Sequence, residues 1–191
     1  MRASYPDYYA RPVGPFGAAR PRLLIVGLAP GMHGANRTGR PFTGDHAGIL
    51  LYDTLHRFGF ATRPVSSDAQ DGLRLVNCRI TNAVKCLPPA NQPRPDEIRR
   101  CNGYLAEEIA LLRDRTAILA LGLVAHNAVL MAIGEKRSAH PFRHRACHPL
   151  PRGMVLYDSY HCSRYNTNTR RLTPEMFRDV FAAILGYLAG K

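Results

Sequence analysis

The sequence predicts an α/β fold, a three-layer α/β/α sandwich around a mostly parallel four-stranded central sheet. Two observations carry that prediction. Short, continuously apolar runs alternate four times with segments of helical hydrophobic spacing, the pattern of parallel strands joined by crossover helices. The 191 residues contain no internal repeat, linker or low-complexity tract, so they make one domain, residues 1–191, with room for a sizeable core.

Taken in order, Leu23 to Ala29 is short, apolar throughout and closed by Pro30-Gly31, as a buried strand should be. Ala47 to Phe58 sets Ile49, Leu50, Leu51, Leu55 and Phe58 on one helical stripe. Leu73 to Val84 forms the second strand region. Pro88 to Pro95 holds four prolines and is expected as a stiff loop, neither helix nor central strand. Asp96 is expected to cap a helix running to about Arg113, followed by a third strand at Thr116 to Leu121 and a short helix at Gly122 to Ile133. Met154 to Tyr160 is the fourth strand. Pro174 to Leu188 closes the chain as a helix with proline in its first turn.

Charge narrows the function. Lys plus Arg number 26 against 14 Asp plus Glu, a net +12, and 23 of the 26 are arginine, which favours a phosphate-bearing polyanion as partner. Half of that excess falls between Gly134 and Arg171, where eight basic residues meet two acids. No stretch approaches the roughly 18 apolar residues of a membrane span. Met1 to Arg22 carries tyrosines and prolines where a secretory signal would be apolar, so export is not expected. Five cysteines without close pairs point to a reducing compartment, and a cytoplasmic monomer is expected.

In an open parallel sheet the working site lies beyond the carboxyl ends of the strands. The loops at Pro30 to Asp45, Lys85 to Pro95, Gly122 and His161 to Arg171 are therefore where chemistry should sit. The first has glycines at 31, 34, 39 and 44 with His33, Asn36, Arg37 and Arg40, but no Gly-Lys-Ser/Thr ending, so a nucleotide P-loop is disfavoured. Asp45, its one acid, serves equally as a helix N-cap and as a carboxylate at the site's mouth. His161, followed by amides, hydroxyls and arginines, suits a base edge with flanking phosphates, or is satisfied by a neighbouring carbonyl. Cys86 and Cys101, fifteen apart, are inert thiols by default. His140, His144, Cys147 and His148 fit no common zinc spacing and add more readily to the basic segment.

These residues carry a resemblance. Gly27 to Asp45, with its Gly-Leu-Ala-Pro and Asn-Arg-Thr-Gly-Arg-Pro-Phe-Thr-Gly-Asp parts, resembles motif 1 of the iron–sulfur uracil-DNA glycosylases, in particular family 5, the B branch. Thr81 to Asn91 followed by Cys101 matches a second signature, Ser159 to Thr173 resembles motif 2, and Ser138 to His144 is also similar to that branch. The likeness runs from about Tyr5 to the C-terminus.

The resemblance implies a set of roles. Phe42 stacks on a flipped-out base, Asn82 reads the uracil edge, and Gly31 and His33 complete the base site. Asp45, Asn91 and His161 are implied as catalytic. Met32-His33-Gly34 lacks the water-activating acid of related branches, as the B branch leads one to expect. Arg37, Arg40, Arg143, Arg164, Arg170 and Arg171 are expected to contact DNA. A 4Fe-4S cluster is implied, with Cys86 and Cys101 as two of its four ligands; the family's N-terminal Cys-x-x-Cys has no counterpart here, so either the natural start lies upstream of Met1, the favoured expectation, or this version has lost its cluster. The implied function is hydrolysis of the N-glycosidic bond of uracil, with hypoxanthine or other deaminated bases as further substrates, in single- or double-stranded DNA. The alternatives are a non-catalytic damaged-DNA-binding module and a hydrolase of free nucleosides.

Overall fold

The computed structural model describes residues 5–190, so the expected junction with an upstream segment at residues 1–4 lies outside the described residues. Its elements are β1 (Phe16–Gly17), β2 (Leu23–Gly27), α1 (Ala35–Thr38), α2 (His46–Arg57), β3 (Cys78–Asn82), α3 (Pro95–Ala110), β4 (Ala117–Leu121), α4 (Leu123–Ile133), β5 (Cys147–Pro149), β6 (Val155–Ser159), α5 (Arg164–Asn168) and α6 (Pro174–Ala189). The sheet order is β1-β3-β2-β4-β6-β5. The four apolar strands at its centre are parallel, and the short edges β1 and β5 are antiparallel to their neighbours.

The central strands are largely buried on both faces, which is why β2 and β4 read as continuously apolar instead of alternating. Leu23, Ile25, Ile80, Leu119 and Tyr157 point to one side and pack against Leu51, Tyr52 and Leu55 of α2 and Phe177, Phe181 and Ile184 of α6. Leu24, Val26, Ile118, Ala120 and Leu156 point to the other and pack against Leu105 and Ile109 of α3 and Ala125 and Val129 of α4. The three-layer sandwich is as the sequence implies. β2 and β4 are neighbours whose following helices leave for opposite faces, and this switch point opens a crevice at their carboxyl ends.

Several local expectations are corrected. The second strand region shortens to Cys78–Asn82, because Leu75 instead forms an isolated bridge with Ala61. Asp96 does not cap α3: Arg94 holds that position, Pro95 starts the helix, and the Arg94 N–H donates to Glu97 Oε2 at 2.7 Å. Pro88 to Pro95 is not wholly loop, since Pro89–Asn91 make one tight 3-10 turn with Ala90 and Asn91 at positive φ. The first and last site loops each enclose a short helix, α1 and α5. Sequence patterns miss such one-turn helices because they are held by caps and tertiary contacts, not by an apolar stripe.

Candidate active site

Four strand ends converge. Gly27 ends β2, Asn82 ends β3, Gly122 follows β4 and His161 lies two residues beyond β6. A methyl group on Gly27 would stand 2.4 Å from Asn82 Oδ1 and 2.5 Å from Phe42 Cζ, so only glycine lets those two side chains meet across the strand end. Phe42 is buried and held at φ +55°, a strained backbone for an aromatic residue. Its ring faces His161, centroids 5.9 Å apart and planes inclined by 30°. Asn82 is 2% exposed, and its Oδ1 has no hydrogen-bond partner. A buried acceptor without a partner costs roughly 1–3 kcal/mol, which a ligand donor can recover.

His161 is fixed from its own loop, its backbone carbonyl accepting from Asn166 Nδ2 at 2.8 Å. Burial pushes its imidazole down from 6.5 to about 4, so the ring is neutral at physiological pH and offers one N–H. Asp45 both caps and faces the site. Its Oδ1 accepts from the Gly48 N–H at 2.9 Å at the start of α2, and its Oδ2 approaches Gly31 and Gly34, where a methyl group on Gly34 would stand 2.5 Å away. Burial raises the Asp45 carboxyl above its ordinary value, opposed by the amides of Gly48 and Ala47 and by His46. Asp45 also adds to the upward shift that burial imposes on the Cys162 thiol, which neighbours His161.

Asp45 lines an open cleft of about 1010 Å³ together with Gly31, His33, Asn91 and Arg164 from the expected set. The opposite wall, from Pro64, Val65, Ser66 and Ser67, carries no sequence signal and closes the cleft only through tertiary packing. His33 is exposed and its Nδ1 is 2.8 Å from Tyr8 Oη. Asn91, in the tight turn at φ +57°, is exposed at the rim.

Arg143, Arg164, Arg170 and Arg171 are exposed, and Arg171 lies 4.7 Å above the Tyr160 ring beside His161. Arg37 is half-buried, its Nε donating to the His33 carbonyl at 2.9 Å. Arg40 corrects the expectation of a DNA contact: it is 6% exposed, its guanidinium bonding Asp71 at 2.8 Å, Ser66 at 3.1 Å and the Ala69 carbonyl, with the Phe16 ring 4.4 Å below. It fastens the wall loop to the glycine turn and has no face left for phosphate.

The profile of the uracil DNA glycosylase superfamily matches residues 15–185. This chain belongs to the uracil-DNA glycosylase superfamily. It is 51% identical over 173 residues to the type-5 uracil-DNA glycosylase of Thermus thermophilus, covering 91% of this chain and 78% of that protein. It is 48% identical over 176 residues to the type-5 enzyme of Mycobacterium tuberculosis, of which it spans 66%. The match to the type-4 uracil-DNA glycosylase of Pyrobaculum aerophilum is weaker, 37% over 115 residues and half of that protein. The chain thus falls with the type-5 members.

Within this family a four-iron cluster requires four thiolates. Cys86 and Cys101 share a cavity of about 380 Å³ with Pro12 to Pro15, and burial followed by Cys101 and Glu97 raises the Cys86 thiol. Cys78, Cys147 and Cys162 lie on other elements. The described residues supply two ligands where four are needed. They do not fit a complete cluster, and no step below runs through one.

Sequence reasoning also missed positioning groups. His46 Nε2 is 2.9 Å from Thr167 Oγ1, tying the start of α2 to α5. Asn166 and the spacer glycine Gly27 complete the set. Gly27 left a signal, as a glycine at the end of an apolar strand, where close approach is the usual reason.

Proposed function

We propose that this chain excises uracil, and deaminated bases of similar edge such as hypoxanthine, from DNA, leaving an abasic site. The observation that carries it is the meeting of side chains at the sheet's rim, where the Phe42 ring faces the neutral His161 ring and touches the unpartnered Asn82 carbonyl across Gly27, with Asp45 lining the cleft alongside. The base must leave the stack to reach it, at a cost of a few kcal/mol. Arg164, Arg143, Arg170 and Arg171 offset that by holding phosphates. The base stacks on the exposed side of the Phe42 ring, with the imidazole at its edge.

Asn82 Oδ1 then accepts from the N3–H of uracil, which cytosine lacks. As the bond between N1 and C1′ breaks, its electron pair goes to the base, and the His161 N–H stabilises the resulting anion at O2. Asp45, desolvated and close, stabilises the positive charge spreading over the sugar and orients a water toward C1′. The water oxygen bonds to C1′, and the proton it releases is taken up by the departing base. Asn91 reaches the same water or sugar from the opposite rim.

The test is a uracil-containing oligonucleotide incubated with the chain and then treated with alkali. Strand cleavage at the uracil is expected, and turnover should fall steeply with salt, as for a polymeric substrate. A mobility shift without an alkali-labile site would instead mark a binding module. Turnover of free deoxyuridine with little salt dependence would mark a nucleoside hydrolase.

A further inference from the structure

Asp158 on β6 points to the α3/α4 face of the sheet, as Leu156 does two residues earlier. It is wholly buried, with His126 of α4 and His148 of β5 buried against it. His126 Nδ1 lies 2.7 Å from Asp158 Oδ1, and His148 Nε2 lies 3.0 Å from Oδ2. The three donor atoms are within 4.8 Å of one another, the one such grouping of His, Cys, Asp or Glu found among the described residues.

The hydrogen bonds of His126 fix which nitrogen faces the carboxylate. Its Nε2 sits 2.8 Å from the backbone oxygen of His140. A carbonyl oxygen only accepts, so Nε2 carries a proton. Nδ1 is therefore the atom turned to Asp158, 2.7 Å from Oδ1, and a proton or a metal ion held by both atoms makes that contact attractive. An imidazole whose far N–H is fixed by a backbone carbonyl is also the usual posture of a metal ligand. Two imidazoles and one carboxylate form a donor set that suits zinc and related first-row ions, with a position left open.

We propose that His126, His148 and Asp158 bind one divalent first-row metal ion, zinc by preference, pinning α4 to the paired strands β5 and β6. The site is distinct from the Cys86 and Cys101 cavity and independent of the glycosylase reading. Because β6 runs on within three residues from Asp158 to His161, occupancy stiffens the strand end that carries the imidazole.

The experiment strips the full chain with a chelator, dialyses it, and titrates Zn²⁺ by calorimetry and Co²⁺ by absorption. One equivalent per chain is expected, with cobalt ligand-field bands but no thiolate charge-transfer band. Zinc at about 100 times its Kd should raise Tm by roughly 5–10 °C. His148→Gln, on an edge strand, should weaken binding by about 100-fold or more, beyond what loss of an outer partner costs. The double variant Cys86→Ser, Cys101→Ser should bind as wild type does. Absence of stoichiometric binding by the wild-type chain overturns the proposal whether or not the triad variant folds. Equal binding by wild type and His148→Gln overturns it too, and leaves the triad joined by protons alone.

Discussion

The Phe42 ring lies 5.9 Å from the His161 ring, although the two residues are 119 positions apart in the chain. One comes from the glycine turn after β2, the other from the loop after β6, with β4 between those strands. Their meeting requires Gly27 to keep the floor beneath Phe42 free of a side chain, because a methyl group there would stand 2.5 Å from Phe42 Cζ. The geometry around this pair sets four expectations.

Asp45 combines a cap with a reacting carboxylate, and one substitution separates them. Asn caps a helix about as well as Asp. Asp45→Asn should therefore leave Tm nearly unchanged while single-turnover base release drops by about 10²–10³. Asp45→Ala should lose the same activity and about 1 kcal/mol of stability besides. Wild-type rates in Asp45→Asn would leave the carboxylate with a capping role only.

The depressed His161 pKa has a stability signature. Its folded value of about 4 lies below the ordinary 6.5, so between those values the unfolded chain binds the extra proton. The neutral ring's contribution is complete above pH 6.5 and is lost as pH falls toward 4. Urea midpoints for wild type should drop more steeply across that window than those of His161→Gln, with the two curves parallel above about pH 7. Parallel curves throughout would mean the ring is not desolvated.

His46 and Thr167 join the loops that carry Asp45 and His161. His46→Ala and Thr167→Val should each lower kcat with little change in KM for DNA. In a double-mutant cycle on kcat they should couple by about 0.5–3 kcal/mol, and His46→Gln should recover part of the loss. Additive effects would show that the bond does not align the two loops.

The arginines divide by burial. Arg143→Ser and Arg164→Ser should each make DNA binding less sensitive to salt, the slope falling by about 0.9 for every phosphate the side chain neutralises. Arg40→Met should leave that slope alone and destabilise the fold by about 3–5 kcal/mol, because Asp71 is left without its cation. Denaturant titration and binding at several salt concentrations check both.

The layers and the parallel core were legible because burial on two faces forces continuous apolar runs, visible in Leu23 to Gly27 and Ala117 to Leu121 without any neighbour in view. The residues Asp45, His161 and Asn91 were legible through motif resemblance and through loop position at strand ends. The antiparallel edges β1 and β5 were not, since strands of two or three residues leave no periodicity to detect.

By itself, then, the sequence determined which segments form the buried centre of the sheet and that a phosphate-rich partner suits the charge. Only the tertiary structure decided that Arg40 turns inward to Asp71, that His46 reaches Thr167, and that Asp158 gathers His126 and His148. The reason is physical. Burial of apolar surface is a property of a segment and its period, whereas the direction of a polar side chain depends on which partner from a distant segment is close enough to replace water.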